Sequence, residues 1–171
     1  MIAYLIYLIP LIILASMWVL YRLCEIDLRE RLLPNVYVAA FAILGVVFHV
    51  CSGMYFDTGP NLVWGAALGG GLLYAVRVVA NWHYKTDTLG LGDVKLMTAA
   101  GLWLGIDDIL PALIIGAFAG ILHGIGVAFI HKRKNGEKLN LSKLEIPAGP
   151  GFIVGIVIVA LAKFFSLPHL F

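Results

Sequence analysis

Long apolar runs alternate with short polar breaks along almost the whole chain. Six runs can be drawn, at 2–21, 35–52, 61–82, 94–106, 109–131 and 147–168. None shows the strict in–out alternation of a barrel strand, and each is continuous, so each predicts a helix. The first, Ile2 to Tyr21, is about the length that spans a bilayer core. Its first charge, Arg22, follows the apolar run instead of preceding it. It therefore reads as a retained helix and not a cleavable signal peptide, with Pro10 tolerated as a kink.

Composition sharpens this picture. Hydrophobic residues make up 61% of the 171 positions and charged residues 13%, against about 25% charged in a soluble domain; the mean hydropathy is +0.96. The expectation is an all-α membrane protein: a single domain over 1–171, built as a bundle of about six transmembrane helices. A net charge of +2 gives no reason to expect a nucleic-acid partner. Cys24 and Cys51 lie far apart with no CxxC pattern, and the five histidines (His49, His83, His123, His131, His169) show no ligand spacing. No disulfide framework, metal or other cofactor is expected.

Charge sets the orientation. Ten of the twelve basic residues fall in the first, third and fifth connections, as Arg22, Arg29, Arg31, Lys85, Lys95, Lys132, Arg133, Lys134, Lys138 and Lys143. The second and fourth connections carry only acids, Asp57, Asp107 and Asp108. Cytoplasmic loops are the basic ones, so both termini belong on the non-cytoplasmic side. Arg77 is expected to snorkel from the cytoplasmic end of the third segment, and Lys163 is the one basic residue near an outer end. Trp18, Trp64, Trp82 and Trp103 fit an aromatic belt, and the basic stretch around 131–145 fits attraction to anionic headgroups. Glycines at helical spacing (Gly65 and Gly69; Gly116, Gly120 and Gly124; Gly151 and Gly155) predict close helix packing in the third, fifth and sixth segments.

Two polar stretches at the cytoplasmic side carry the chemistry, "CEIDLRERLLPN" and "LGLGD". On a helix, Asp27 continues the face of Leu20, Leu23 and Cys24, and Pro34 ends that helical stretch. A plain surface role also fits, since Glu25–Arg29 and Asp27–Arg31 are both acid-first i,i+4 pairs. Asp93 reads as a cap following glycines at positive φ. The run Val94–Ile106, however, is about 20 Å of helix against a core of about 30 Å, so its glycine end is expected to be recessed. If Asp27 leans into the same hollow, two carboxylates face one water. Like charges at close range cannot both ionise, so they share a proton. The ionised member is a base toward water and the protonated member an acid toward a peptide carbonyl.

The motifs "DLRERLLPN" (Asp27–Asn35), "GLGDVKLM" (Gly90–Met97) and "IPAGPGFIVG" (Ile146–Gly155) occur in this order. In them the chain resembles the type IV prepilin peptidases, membrane aspartic proteases of the GxGD class. The resemblance implies Asp27 and Asp93 as the catalytic aspartates. It implies Gly90 and Gly92 as shaping the active-site loop, with Lys95, Pro34, Asn35, Pro147, Gly149 and Pro150 in support. It implies as substrate a prepilin or pilin-like precursor, cleaved behind its short basic leader at the cytoplasmic face of a bacterial or archaeal plasma membrane. Members with a second, N-methylating activity carry an N-terminal segment with paired CxxC motifs. No such segment precedes the first helix here, so methyl transfer is not expected, and the chain resembles the short members that serve Flp-type pili. Two alternatives stand beside this reading: a GxGD intramembrane protease of the signal-peptide-peptidase kind, and a small proton-coupled membrane transporter using the two aspartates.

Overall fold

The breaks in the pattern end helices by identifiable local chemistry. The computed structural model of the protein describes residues 8–87, 89–135 and 148–165. They form five helices: α1 (Leu8–Glu30), α2 (Asn35–Cys51), α3 (Gly59–Tyr84), α4 (Leu91–Asn135) and α5 (Gly149–Phe165). Arg31, in the left-handed region at φ 55°, stops α1, and Pro34 caps the start of α2 in an extended conformation. Lys85, also left-handed at φ 54°, ends α3 while its N–H bonds back to the Asn81 carbonyl at 2.9 Å. α1, α3 and the stretch Leu91–Phe129 of α4 are long and apolar enough to cross a bilayer; Asn35–Cys51 and Gly149–Phe164 are apolar but shorter. Their outer faces expose Leu11, Leu14, Val36, Val63, Trp64 and Trp82, an apolar surface that suits lipid.

α4 covers two of the six apolar runs in the sequence, and it is not one straight rod. Gly105 interrupts it with φ 70° and ψ −177°. A Cβ on Gly69 of α3 would stand 2.7 Å from the Met97 carbonyl oxygen and 2.8 Å from a side-chain carbon of Ile109. Twelve residues of straight helix would separate those two by about 18 Å. The chain therefore doubles back at Gly105, and both halves of α4 meet α3 at one glycine.

The small-residue packing predicted for the third, fifth and sixth segments is observed. Gly65 and Gly101 meet backbone to backbone, as do Gly116 and Gly151, and Gly155 lies against Ala112 and Gly116. Close backbone approach of this kind supplies dispersion where lipid removes the hydrophobic drive between helices. The first half of α4 is the centre of the bundle: Leu96, Met97, Ala99, Ala100, Trp103 and Leu104 are all buried. Trp103 is thus not a belt residue. Its ring stacks on Phe41, its Nε1 donates to the Phe41 carbonyl at 2.8 Å, and Gly45 leaves the space it fills. Trp18, Trp64 and Trp82 remain exposed.

Candidate active site

The buried stripe of α1 runs Ile12, Ser16, Val19, Leu20, Leu23 and ends on Asp27. These positions recur every three or four residues, so a carboxylate occupies the last place on an otherwise core-facing stripe. Asp27 is 5% exposed and Asp93 7%. Glu25, by contrast, points to Arg22 and to Arg29, the latter at 2.9 Å, the surface pairing that the sequence pattern predicts. Asp93 lies in the first turn of α4, where the partial positive charge of the helix N-terminus favours a carboxylate.

Asp27 and Asp93 are 66 positions apart in the chain and yet within electrostatic reach of each other. Three contacts tie α1, the connection after it and α2 to α4 and α5. Gly92 packs against Leu33, its Cβ position 2.8 Å from the leucine Cβ. Lys95 Nζ donates to Asn35 Oδ1 at 2.9 Å, joining the start of α2 to α4. Gly149, at the start of α5, faces the Asp27 carboxylate with its backbone N–H. A Cβ there would lie 2.5 Å from Asp27 Oδ2. Among the described residues that Oδ2 has no hydrogen-bond partner, which is uncommon for a buried carboxylate oxygen.

The supporting residues divide accordingly. Gly90, Gly92, Lys95, Pro34, Asn35 and Gly149 gather at the Asp27–Asp93 end. Pro150 is half-buried at the second position of α5. Pro147 lies outside the described residues. The positive φ expected before Asp93 is not found: the glycines in that region of the map are Gly53 and Gly105. Gly90 and Gly92 act through close approach instead, the Cβ position of Gly90 being 3.2 Å from Asp93 Oδ2.

Arg77 does not simply snorkel. It bonds the Leu89 carbonyl and pairs with Asp87 at 2.8 Å, so it straps the 85–90 connection to α3 just before Gly90. An arginine inside an apolar helix was the sequence signal for this role. At the opposite end, Asp57 is also buried, paired with Lys163 at 2.5 Å. The recess expected only at the glycine end therefore has a counterpart at the other, because Lys163 neutralises the acids there.

Replacing Gly149 with alanine is expected to push the Asp27 carboxylate out of its position. In a thermal melt of the purified variant the melting temperature should change little, since the obstructing atoms belong to a side chain and not to backbone.

A helical membrane protein whose two distant carboxylates lie buried at one end of its bundle is the class defined by fold and site. The chain belongs to the type IV leader peptidase family, whose model matches residues 12–125, two thirds of its length. It is 31% identical over 137 residues to the prepilin leader peptidase/N-methyltransferase of Aeromonas salmonicida (strain A449), covering 78% of this chain and 43% of that protein. It is 27% identical over 161 residues to the protein of the same name from Vibrio cholerae serotype O1, covering 91% and 56%. It is 30% identical over 135 residues to leader peptidase HopD of Salmonella typhimurium, covering 75% and 81%. The chain thus spans less than half of the Aeromonas protein and most of HopD. No solved structure matches it.

Proposed function

We propose that this protein is a prepilin leader peptidase, an aspartic endopeptidase that removes the leader from type IV prepilin-like or Flp-type precursors. The observation that carries the reading is the burial of both Asp27 and Asp93 at one end of the bundle, within electrostatic reach of each other. The membership of the type IV leader peptidase family supports it from a separate direction.

In the proposed reaction the two carboxylates hold one proton between them. The ionised one takes a proton from water as the oxygen forms its bond to the scissile carbonyl carbon. The protonated one gives its proton to the carbonyl oxygen. The resulting gem-diol collapses: one hydroxyl returns a proton to the carboxylate that had given one, the C–N bond breaks, and the proton taken from water passes to the leaving amine. Asp27 Oδ2, without a hydrogen-bond partner among the described residues, supports a role in holding the attacking water.

The same reading has six spans, the two halves of α4 counting as two. The contacts Gly92–Leu33 and Lys95–Asn35 put the first and third connections, which are basic, at the carboxylate end. By the positive-inside rule that end faces the cytoplasm, and both termini lie outside a bacterial or archaeal plasma membrane.

The test is direct. Purified full-length protein in liposomes is given a precursor bearing a short basic leader, and the products are weighed. Cleavage at one bond behind the leader is expected, and it should vanish on replacing either aspartate. A folded variant lacking one of them that still cleaves at the normal rate overturns the proposal.

A further inference from the structure

A helix that stops inside a bundle leaves its last carbonyls without partners. The break at Gly105 does this to the first half of α4. Two side chains from other helices recover those groups: His49 Nε2 donates to the Trp103 carbonyl at 3.0 Å, and Lys163 Nζ to the Leu104 carbonyl at 2.6 Å. Lys163 Nζ also meets Asp57 Oδ2 at 2.5 Å and Asp108 Oδ2 at 2.9 Å. An ammonium has three N–H groups, and each has its own acceptor here. Asp57 is held in turn by Asn61 Nδ2 at 3.0 Å, and the same amide reaches Asp107 at 3.3 Å. The α2–α3 connection, the reversal in α4 and the end of α5 therefore meet on one ammonium, and α3 joins them through Asn61. A cation at a helix C-terminus is also favoured by the helix dipole.

The geometry of the two tied helices gives this knot a consequence at the other end. Leu104 is eleven residues from Asp93, about 16 Å along the first half of α4; Lys163 is fourteen from Gly149, about 21 Å along α5. Helices are stiff over such lengths, so a slide at the knot is passed along them. Gly149 faces Asp27, and Asp93 heads the other helix. We infer that Lys163 is a positioning residue for the Asp27–Asp93 pair, fixing the axial register of α5 against the first half of α4. The inference rests on the peptidase reading. Misplacement by about 1 Å is enough to slow a reaction by about a hundredfold.

The test separates geometry from charge. In Lys163→Arg the charge balance with Asp57 and Asp108 is kept, but a longer, planar guanidinium cannot direct three N–H groups from one atom to three converging acceptors. Full-length wild type, Lys163→Arg and the neutral triple variant Lys163→Met/Asp57→Asn/Asp108→Asn are compared in liposomes for melting temperature, kcat and KM on one leader-bearing substrate. Asp27→Asn and Asp93→Asn are run as controls. Positioning requires both Lys163 variants to stay within a few degrees of wild type while kcat drops at least about tenfold and KM changes less than about twofold. Wild-type kcat in Lys163→Arg, or in the triple variant, overturns the inference and leaves Lys163 as charge balance alone. Controls that cleave like wild type overturn the peptidase reading, and the inference falls with it.

Discussion

Replacing Asp93 with asparagine is expected to reduce kcat/KM for leader cleavage by at least about a thousandfold, and Asp27→Asn should do the same. Removal of a positioned acid or base costs about 10²–10⁴ in rate, and in the proposed mechanism each carboxylate also sets the protonation of the other. The double variant should be no slower than either single one, because the pair acts as a unit. Stability should move the other way. Asparagine has nearly the volume of aspartate, and at sites 5% and 7% exposed it replaces an ionisable group by a neutral one in a poorly solvated place. The melting temperature in detergent should therefore hold or rise. Mass spectrometry of the substrate and a thermal melt of each variant check both halves. A large fall in melting temperature would show that the carboxylates serve the fold more than the reaction.

The second large effect is expected at Gly105. Its φ of 70° and ψ of −177° lie in a region that residues with a Cβ scarcely visit, at a cost of about 1–3 kcal/mol. The added Cβ of Gly105→Ala would also come 2.5 Å from Asp57 Oδ2, the oxygen that pairs with Lys163. Moving Asp57 away strands a buried ammonium, and breaking such a pair costs about 3–5 kcal/mol. Gly105→Ala should accumulate poorly and unfold well below wild type. Gly53→Ala is the control: φ there is 65°, but a Cβ would meet nothing within 4 Å. It should show the backbone strain alone, about 1–2 kcal/mol. Equal melting temperatures for the two variants would mean that the Asp57 contact has no bearing on the reversal.

The site was legible in the sequence to an uneven degree. Asp27 fell on the apolar face because helical periodicity is local, and Leu20 and Leu23 lie in the same turns. Asp93 was marked by the short segment that follows it. Gly65, Gly69, Gly116, Gly151 and Gly155 were read correctly as packing surfaces, since their spacing already states which face is small. Trp103 was misread because its place near a segment end looked like a belt position, while its burial depends on the gap left by Gly45 in another helix. Lys163 looked like a lone exception to the charge rule because its partner Asp57 is 106 residues away. Arg77 was noticed, but its bond to Leu89 depends on how the connection folds back over α3.

The sequence by itself determined that this is a helical membrane protein, that Asp27 continues the apolar face of its helix, and which acids were worth watching. Those properties follow from hydrophobicity and period, which act over a few residues. Only the tertiary structure decided that α4 doubles back at Gly105, that Asp27 and Asp93 are buried within electrostatic reach of each other, and that Lys163 answers Asp57, Asp108 and the Leu104 carbonyl together. Each of these joins positions distant in the chain, and such pairings are fixed by which backbones pack closely enough, a property of the assembled bundle and of no single segment.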